Sequence, residues 1–154
     1  MPQYSIRLAQ DQDCAEIARL ASQLGYPASG DAMRMRLQRL RASPNDVVFV
    51  AASAEGRLLG WIHGVLSQFL ESDYRVEIGG LIVDEQFYRK GVGRALVERI
   101  ESWAVDHGVM QASVRCRTTR AEAHVFYESL GYRRAKTQIV FRKALSQRHS
   151  EARA

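Results

Sequence analysis

Apolar residues recur along the chain with two periods, and the switches between them outline the elements. Alternation with a period of two marks half-buried strands, and recurrence every three to four residues marks helices. Residues 4–8 read as a first strand. Cys14, Ile17, Ala18, Ala21 and Leu24 then fall at helical spacing, with Asp13 and Glu16 predicting a capping box and Gly25 and Pro27 the end. A second helix is predicted from about Asp31, with Met33, Leu37 and Leu40 as its stripe, and Ser43-Pro44 stops it. Residues 47–52 and 58–66 flank the Ala54-Glu55-Gly56 turn and read as a hairpin. Residues 74–83 form the next predicted strand. A long helix follows Gly93, with Val92, Leu96, Ile100, Trp103 and Ala104 on one face, closed by His107-Gly108. Ala112, Val114 and Cys116 alternate with polar neighbours as in a strand. Thr119 and Glu122 predict a second capping box, opening a helix with Ala123, Phe126, Tyr127 and Leu130 inward. Residues 132–136 and 139–145 read as closing strands. This order predicts a mixed α/β sheet with helices on both faces.

Composition narrows the class. The 154 residues are 46% hydrophobic and 25% charged, as in a folded globular chain. That length suits one domain, expected over residues 1–145, with residues 146–154 as a polar C-terminal tail. No apolar run approaches the ~18 residues of a membrane span, so no membrane association is expected. Met1-Pro2-Gln3-Tyr4 lacks a signal-peptide pattern. With Cys14 and Cys116 unpaired, a cytoplasmic location is expected. Two cysteines and four histidines show no ligand spacing, so no metal is expected.

Charge is uneven. The net charge is +5, but residues 1–87 hold 8 basic and 11 acidic side chains, and residues 88–154 hold 14 and 6. The second half therefore asks for a local anionic ligand. Arg34, Arg36, Arg39 and Arg41 encircle their helix instead of forming one basic face, so no nucleic-acid partner is expected.

The segment best suited to an anion is Gly80-Leu81-Ile82-Val83-Asp84-Glu85-Gln86-Phe87-Tyr88-Arg89-Lys90-Gly91-Val92-Gly93-Arg94-Ala95-Leu96. It is an apolar strand, a short polar loop and glycines that open a helix. Helix N-termini present free N–H groups and partial positive charge to phosphates. A Walker A loop would need Lys-Ser/Thr where Arg94-Ala95 stands. A dinucleotide fingerprint would need Gly or Ala where Leu96 stands.

The segment resembles motif A of the GNAT N-acetyltransferase superfamily, Q/R-x-x-G-x-G/A. Arg89-Lys90-Gly91-Val92-Gly93 fits its last five positions, and Tyr88 stands where Gln or Arg is usual. Downstream, Ala123-His124-Val125-Phe126-Tyr127-Glu128-Ser129-Leu130-Gly131-Tyr132 resembles motif B, A-x-x-F-Y-E-x-x-G-F/Y, without the Asn often found ahead of it. The resemblance implies a GNAT fold, with a mixed sheet of about six or seven strands flanked by about four helices and splayed at an acetyl-CoA cleft. It implies acetyl-CoA as co-substrate. The pyrophosphate would rest on the amides of Arg89, Lys90, Gly91, Val92, Gly93 and Arg94, and the pantetheine arm would pair with Leu81, Ile82 and Val83. Homodimers are frequent in the superfamily.

Amide formation needs a base for the amine, an acid for the leaving thiolate and a donor for the oxyanion. The resemblance implies Glu77 as base, Tyr127 as acid beside the sulfur, and the Val83 N–H as oxyanion donor. Glu77 also reads as a solvent-facing strand carboxylate or as a cross-strand partner for an Arg, and Tyr127 as a core aromatic. His63 reads as a packed or edge histidine, or as an acceptor contact. Glu71 and Asp73, in the loop before the Glu77 strand, are expected to draw a cationic amine acceptor. An aminoglycoside-like sugar, a polyamine or a peptide amine would fit, with attack occurring directly in a ternary complex. The competing readings are a protein N-acetyltransferase and an acyl-CoA sensor without turnover.

Overall fold

The structure is a computed structural model that describes residues 3–147. It divides into two compact units, residues 1–116 and 117–154. Within the described residues the first unit holds β1 (Ser5–Leu8), α1 (Cys14–Gln23), α2 (Gly30–Ala42), β2 (Asp46–Ala52), β3 (Leu58–Ser67), β4 (Arg75–Val83), α3 (Val92–Asp106) and β5 (Ala112–Val114). The second holds α4 (Ala121–Ser129). The strands lie in the order β1-β2-β3-β4-β5. The first three pairings are antiparallel and β4·β5 is parallel. This is the expected mixed α/β architecture, with five strands among the described residues.

The burial of β3 alternates along most of its length, so each face of the sheet receives its own helices. Val48, Val50, Ala52, Leu58, Ile82 and Trp61 pack with Ile17, Leu20 and Ala21 of α1 and Leu37 of α2. On the opposite face α3 lies close against β3. A Cβ at Gly64 would sit 2.6 Å from Ile100 Cδ1, so glycine there sets the helix–sheet distance. Leu96 and Ile100 are fully buried.

Several local expectations are corrected. Asp13 does not form a capping box with Glu16. It ends a 3₁₀ turn, accepts from the Gln10 N–H (2.8 Å) and pairs with Arg7 (2.7 Å), while Glu16 accepts from the Leu58 N–H (3.1 Å). Both carboxylates serve the join between helix and sheet. Ser29, one residue before α2, caps it through the Ala32 N–H (3.0 Å). The Thr119–Glu122 box is also absent: Arg120 is the N-cap and no side chain caps it.

Residues 132–136 and 139–145 form no strand. Ile139, Val140 and Phe141 are 79%, 64% and 89% exposed. Strand propensity reflects packing on a pleated surface with a neighbour, and these residues have neither ladder nor cover. Of the tail expected over residues 146–154, Ser146 and Gln147 are exposed, and the remainder lies outside the described residues. Among the described residues, no helix is long and apolar enough to cross a membrane and no cluster of metal-ligating side chains occurs.

Candidate active site

The site is built around β4, where two irregularities coincide. The ladder with β5 runs only from Val76↔Ala112 to Ile78↔Val114, although β4 continues to Val83. Among the described residues, no strand pairs with that edge of β4 beyond Ile78. On its other edge, the register with β3 shifts from Gly64↔Ile78 to His63↔Gly80, so Gly79 is an extra, bulged residue. The backbone of Leu81, Ile82 and Val83 therefore borders an open strand edge, where an extended ligand can add by hydrogen bonds.

β4 leads straight into the glycine segment. Asp84, completely buried, fixes the turn. Its N–H donates to Leu59 O (2.8 Å), its Oδ1 accepts from the Gln86 N–H (3.1 Å), and its Oδ2 receives Arg19 (2.9 Å) and Arg57 (3.4 Å). Burial alone would push this carboxyl up. The Gln86 hydrogen bond and the Arg19 guanidinium outweigh it and hold the group below its ordinary value. Arg19 also donates to Leu58 O (3.1 Å) and pairs with Glu16, so one α1 side chain joins helix, hairpin and loop.

Beyond the single 3₁₀ turn at Glu85–Phe87, Arg89 (φ 61°) and Gly91 (φ 84°) adopt left-handed backbone. Such a turn directs successive N–H groups to one side, a local anion cradle. The first bond of α3 runs from the Ala95 N–H to Gly91 O (3.0 Å). The amides of Val92, Gly93 and Arg94 stand ahead of it, where a helix offers no internal acceptor. Val92 and Gly93 are buried against the core, while Arg89, Lys90 and Arg94 are exposed around them. Lys90 Nζ lies 6.0 Å from the centre of the Phe87 ring. An open strand edge, a left-handed turn and a basic helix N-terminus in series fit an extended ligand ending in phosphates.

Paired residues of a sheet share a face. The pairings Asp46↔Val65 and Val65↔Glu77 therefore put Asp46 and Glu77 on one face with His63, two residues before Val65. Glu77 is mostly buried (17% exposed) and pairs with Arg115 Nε at 3.0 Å. Of the two alternatives to a base, the Arg partner is met in the structure and the solvent-facing carboxylate is not. Glu71 and Asp73 are exposed in the β3–β4 loop, which Gln68 braces through Phe69 O and Ser72 O.

In the second unit Tyr127 lies on α4, 8% exposed, with its ring edge-on to Phe126 (5.0 Å) and Tyr132 (5.6 Å). The expectation of a packed aromatic holds for the ring.

Sequence reasoning passed over the Arg19–Asp84–Arg57 cluster and the partner of His63. The first left one signal, an aspartate directly after an apolar strand run. The second left none, because Asp46 and His63 lie 17 residues apart on separate strands.

Comparison with known proteins gives the family and the fold. The chain belongs to the GNAT acetyltransferase family, whose model matches residues 7–132. It is thus an acetyl-CoA-dependent acyltransferase. It is similar to an aminoglycoside N(6')-acetyltransferase type 1 of Stenotrophomonas maltophilia, 28% identical over 145 residues that cover 92% of this chain and 94% of that protein. It is also similar to the N-acetylaspartate synthetase of Danio rerio, 32% identical over 91 residues. That match covers 59% of this chain and only 31% of that protein. Among solved structures, AAC(6')-Iy in complex with the bisubstrate analogue CoA-S-monomethyl-acetylneamine superposes with a TM-score of 0.80. It is 18% identical and covers 93% of this chain and 99% of that one.

Proposed function

We propose that the protein moves an acetyl group from acetyl-CoA to a primary amine of a small cationic acceptor, by direct attack in a ternary complex. The observation that carries this reading is the open edge of β4 running into the left-handed turn and the α3 N-terminus. The amides from Arg89 to Arg94 hold the pyrophosphate, and Leu81, Ile82 and Val83 hold the pantetheine arm by backbone pairing. The Val83 N–H faces the thioester oxygen as negative charge develops there. Glu77 accepts a proton from the attacking nitrogen, and the Tyr127 hydroxyl protonates the departing thiolate.

For the acceptor, two observations agree. Glu71 and Asp73 form an exposed acidic loop ahead of β4, which attracts cations. The relative matched along nearly its whole length is an aminoglycoside acetyltransferase. We place catalysis within one domain over residues 1–145, in the cytoplasm.

The test is CoA release with a panel of amines: aminosugars, polyamines, peptide N-termini and amino acids. Cationic aminosugars or polyamines are expected to be preferred. Activity confined to anionic or neutral acceptors refutes the assignment, and an amino-acid acceptor would follow the partial match to N-acetylaspartate synthetase instead. Glu77→Gln and Tyr127→Phe are each expected to lower kcat by about 10²–10⁴-fold. Near-wild-type transfer in both removes them from the chemistry.

A further inference from the structure

His63 lies on β3 with its Nε2 2.7 Å from Asp46 Oδ1 on β2. Both side chains are largely buried, 23% and 14% exposed, so the pair is held in one geometry. A carboxylate only accepts, so Nε2 carries the hydrogen and the neutral ring keeps its lone pair on Nδ1. Gly79 stands at Nδ1: a Cβ there would lie 2.8 Å from that nitrogen and 3.3 Å from Cε1. Gly79 is the bulged residue of β4, is exposed and lies where β4 parts from β5, so backbone and no side chain borders Nδ1 there. Val48, directly across from His63, and Trp61, two residues before it, are packed under α1 and α2. The pair thus sits next to the covered part of this face, on the same side as Glu77 with its partner Arg115.

We propose that His63, oriented by Asp46, is a second proton acceptor of the reaction and receives the proton that an ammonium acceptor must lose before it can attack. The inference rests on the proposed amine acetylation. Two protons leave the nitrogen of a cationic acceptor. His63 Nδ1 takes the first, forming an imidazolium that Asp46 stabilises, and returns it to solvent. The neutral amine then forms the N–C bond to the thioester carbonyl carbon. Glu77 takes the second proton from the adduct, the C–S bond breaks, and the thiolate gains a proton from Tyr127. The proton held by Glu77 balances the one given up by Tyr127, and the net release is the single proton that His63 returns to solvent. An imidazole is a stronger base than a carboxylate by about two pH units, which suits the first step. Asp46 is a positioning residue, playing the part of the carboxylate that orients a catalytic imidazole elsewhere.

The experiment compares two acceptors, an aliphatic amine that is protonated at pH 7 and a hydrazide or arylamine that is already neutral. The variants are His63→Gln, His63→Ala, Asp46→Asn and Gly79→Ala. His63→Gln is expected to lower kcat/KM for the charged amine by about 10²–10⁴-fold and leave the neutral one nearly unchanged. Glu77→Gln is expected to lower both. Gly79→Ala, which covers Nδ1, and Asp46→Asn are expected to show the same selective loss. Added imidazole is expected to restore His63→Ala on the charged acceptor alone. Equal losses on both acceptors without imidazole rescue, or no loss on either, overturn the role of His63. If wild type acetylates no amine, the proposed function falls, and this inference with it. If wild type is active and His63→Gln is not selective, only the inference falls.

Discussion

Replacing Arg19 with methionine keeps the apolar stem and removes the guanidinium that joins Asp84, Glu16 and Leu58 O. Asp84 is then a buried carboxylate left with Arg57 at 3.4 Å, the Gln86 N–H and the Gln23 side chain. Removing one partner of a fully buried ion pair costs about 3–5 kcal/mol. The cost here is smaller, because Arg19 is 32% exposed and Arg57 remains. About 2–3 kcal/mol is expected at pH 7, equivalent to a Tm lower by about 5–10 °C for a chain of this size. Urea denaturation of wild type and Arg19→Met between pH 7 and pH 3 measures it. Asp84 and Glu16 are both held below their ordinary values. Burial opposes this for Asp84, whereas for Glu16 the Arg19 hydrogen bond is the largest cause. A carboxylate depressed in the folded state contributes stability that is present above its unfolded pKa, about 4, and lost as pH falls through the folded value. The difference between the two proteins should therefore persist from pH 7 to about 5 and shrink below about 4. Because Asp84 fixes the turn before the phosphate loop, KM for acetyl-CoA should rise more than KM for the amine. A difference under about 0.5 kcal/mol at pH 7, or one unchanged at pH 3, refutes the assignment of Arg19 as the brace of this turn.

Gly91→Ala places a side chain on left-handed backbone and should cost about 1–2 kcal/mol; calorimetric titration should also show weaker acetyl-CoA binding. Gly64→Ala drives a methyl into Ile100 and should destabilise by about 1–3 kcal/mol in denaturant melts, with the KM for acetyl-CoA little changed. Glu71→Gln combined with Asp73→Asn should raise KM for a polycationic acceptor and leave KM for acetyl-CoA in place. The rise should diminish at high salt, since exposed charges are screened within about 8–10 Å.

How far the sequence could be read depended on whether a feature was local. The glycine segment was legible because its strand, basic loop and helix are consecutive, and the structure places them as one continuous run from Arg75 to Asp106. The order of elements was legible through β5 for the same reason. Caps were misread because Asp13 serves one turn earlier, in a reciprocal box with Gln10 and a pair with Arg7, and because Glu16 has a long-range alternative in the Leu58 N–H. Residues 139–145 were misread because alternation reports the potential to pair and cannot supply a neighbour. The Asp46–His63 contact was illegible because it depends on the register of two strands and a bulge in a third.

The charge asymmetry takes a different meaning once partners are known. The excess of acid in residues 1–87 includes Glu71 and Asp73, the two carboxylates expected to draw a cationic amine. Much of it is consumed internally: Asp11, Asp13, Glu16, Asp31, Asp84 and Glu77 pair with arginines, and Asp46 accepts a hydrogen bond from His63. Glu71 and Asp73 enter none of the ion pairs found among the described residues, and both are exposed. A paired carboxylate projects little field, because its partner cancels it within a few ångströms. Glu55 and Glu85 are likewise exposed and outside the ion pairs of the described residues, so the unpaired acid lies in three places, of which the loop at the N-terminal end of β4 carries two carboxylates. The basic residues Arg89, Lys90 and Arg94 stand beyond its C-terminal end, exposed, with Arg94 3.8 Å from Glu98. Opposite charges at the two ends of one strand define a direction for the substrates. On the proposed function that direction sets the phosphates beyond Val83 and the amine on the side of Glu77, with the bulged Gly79 between the two charged ends.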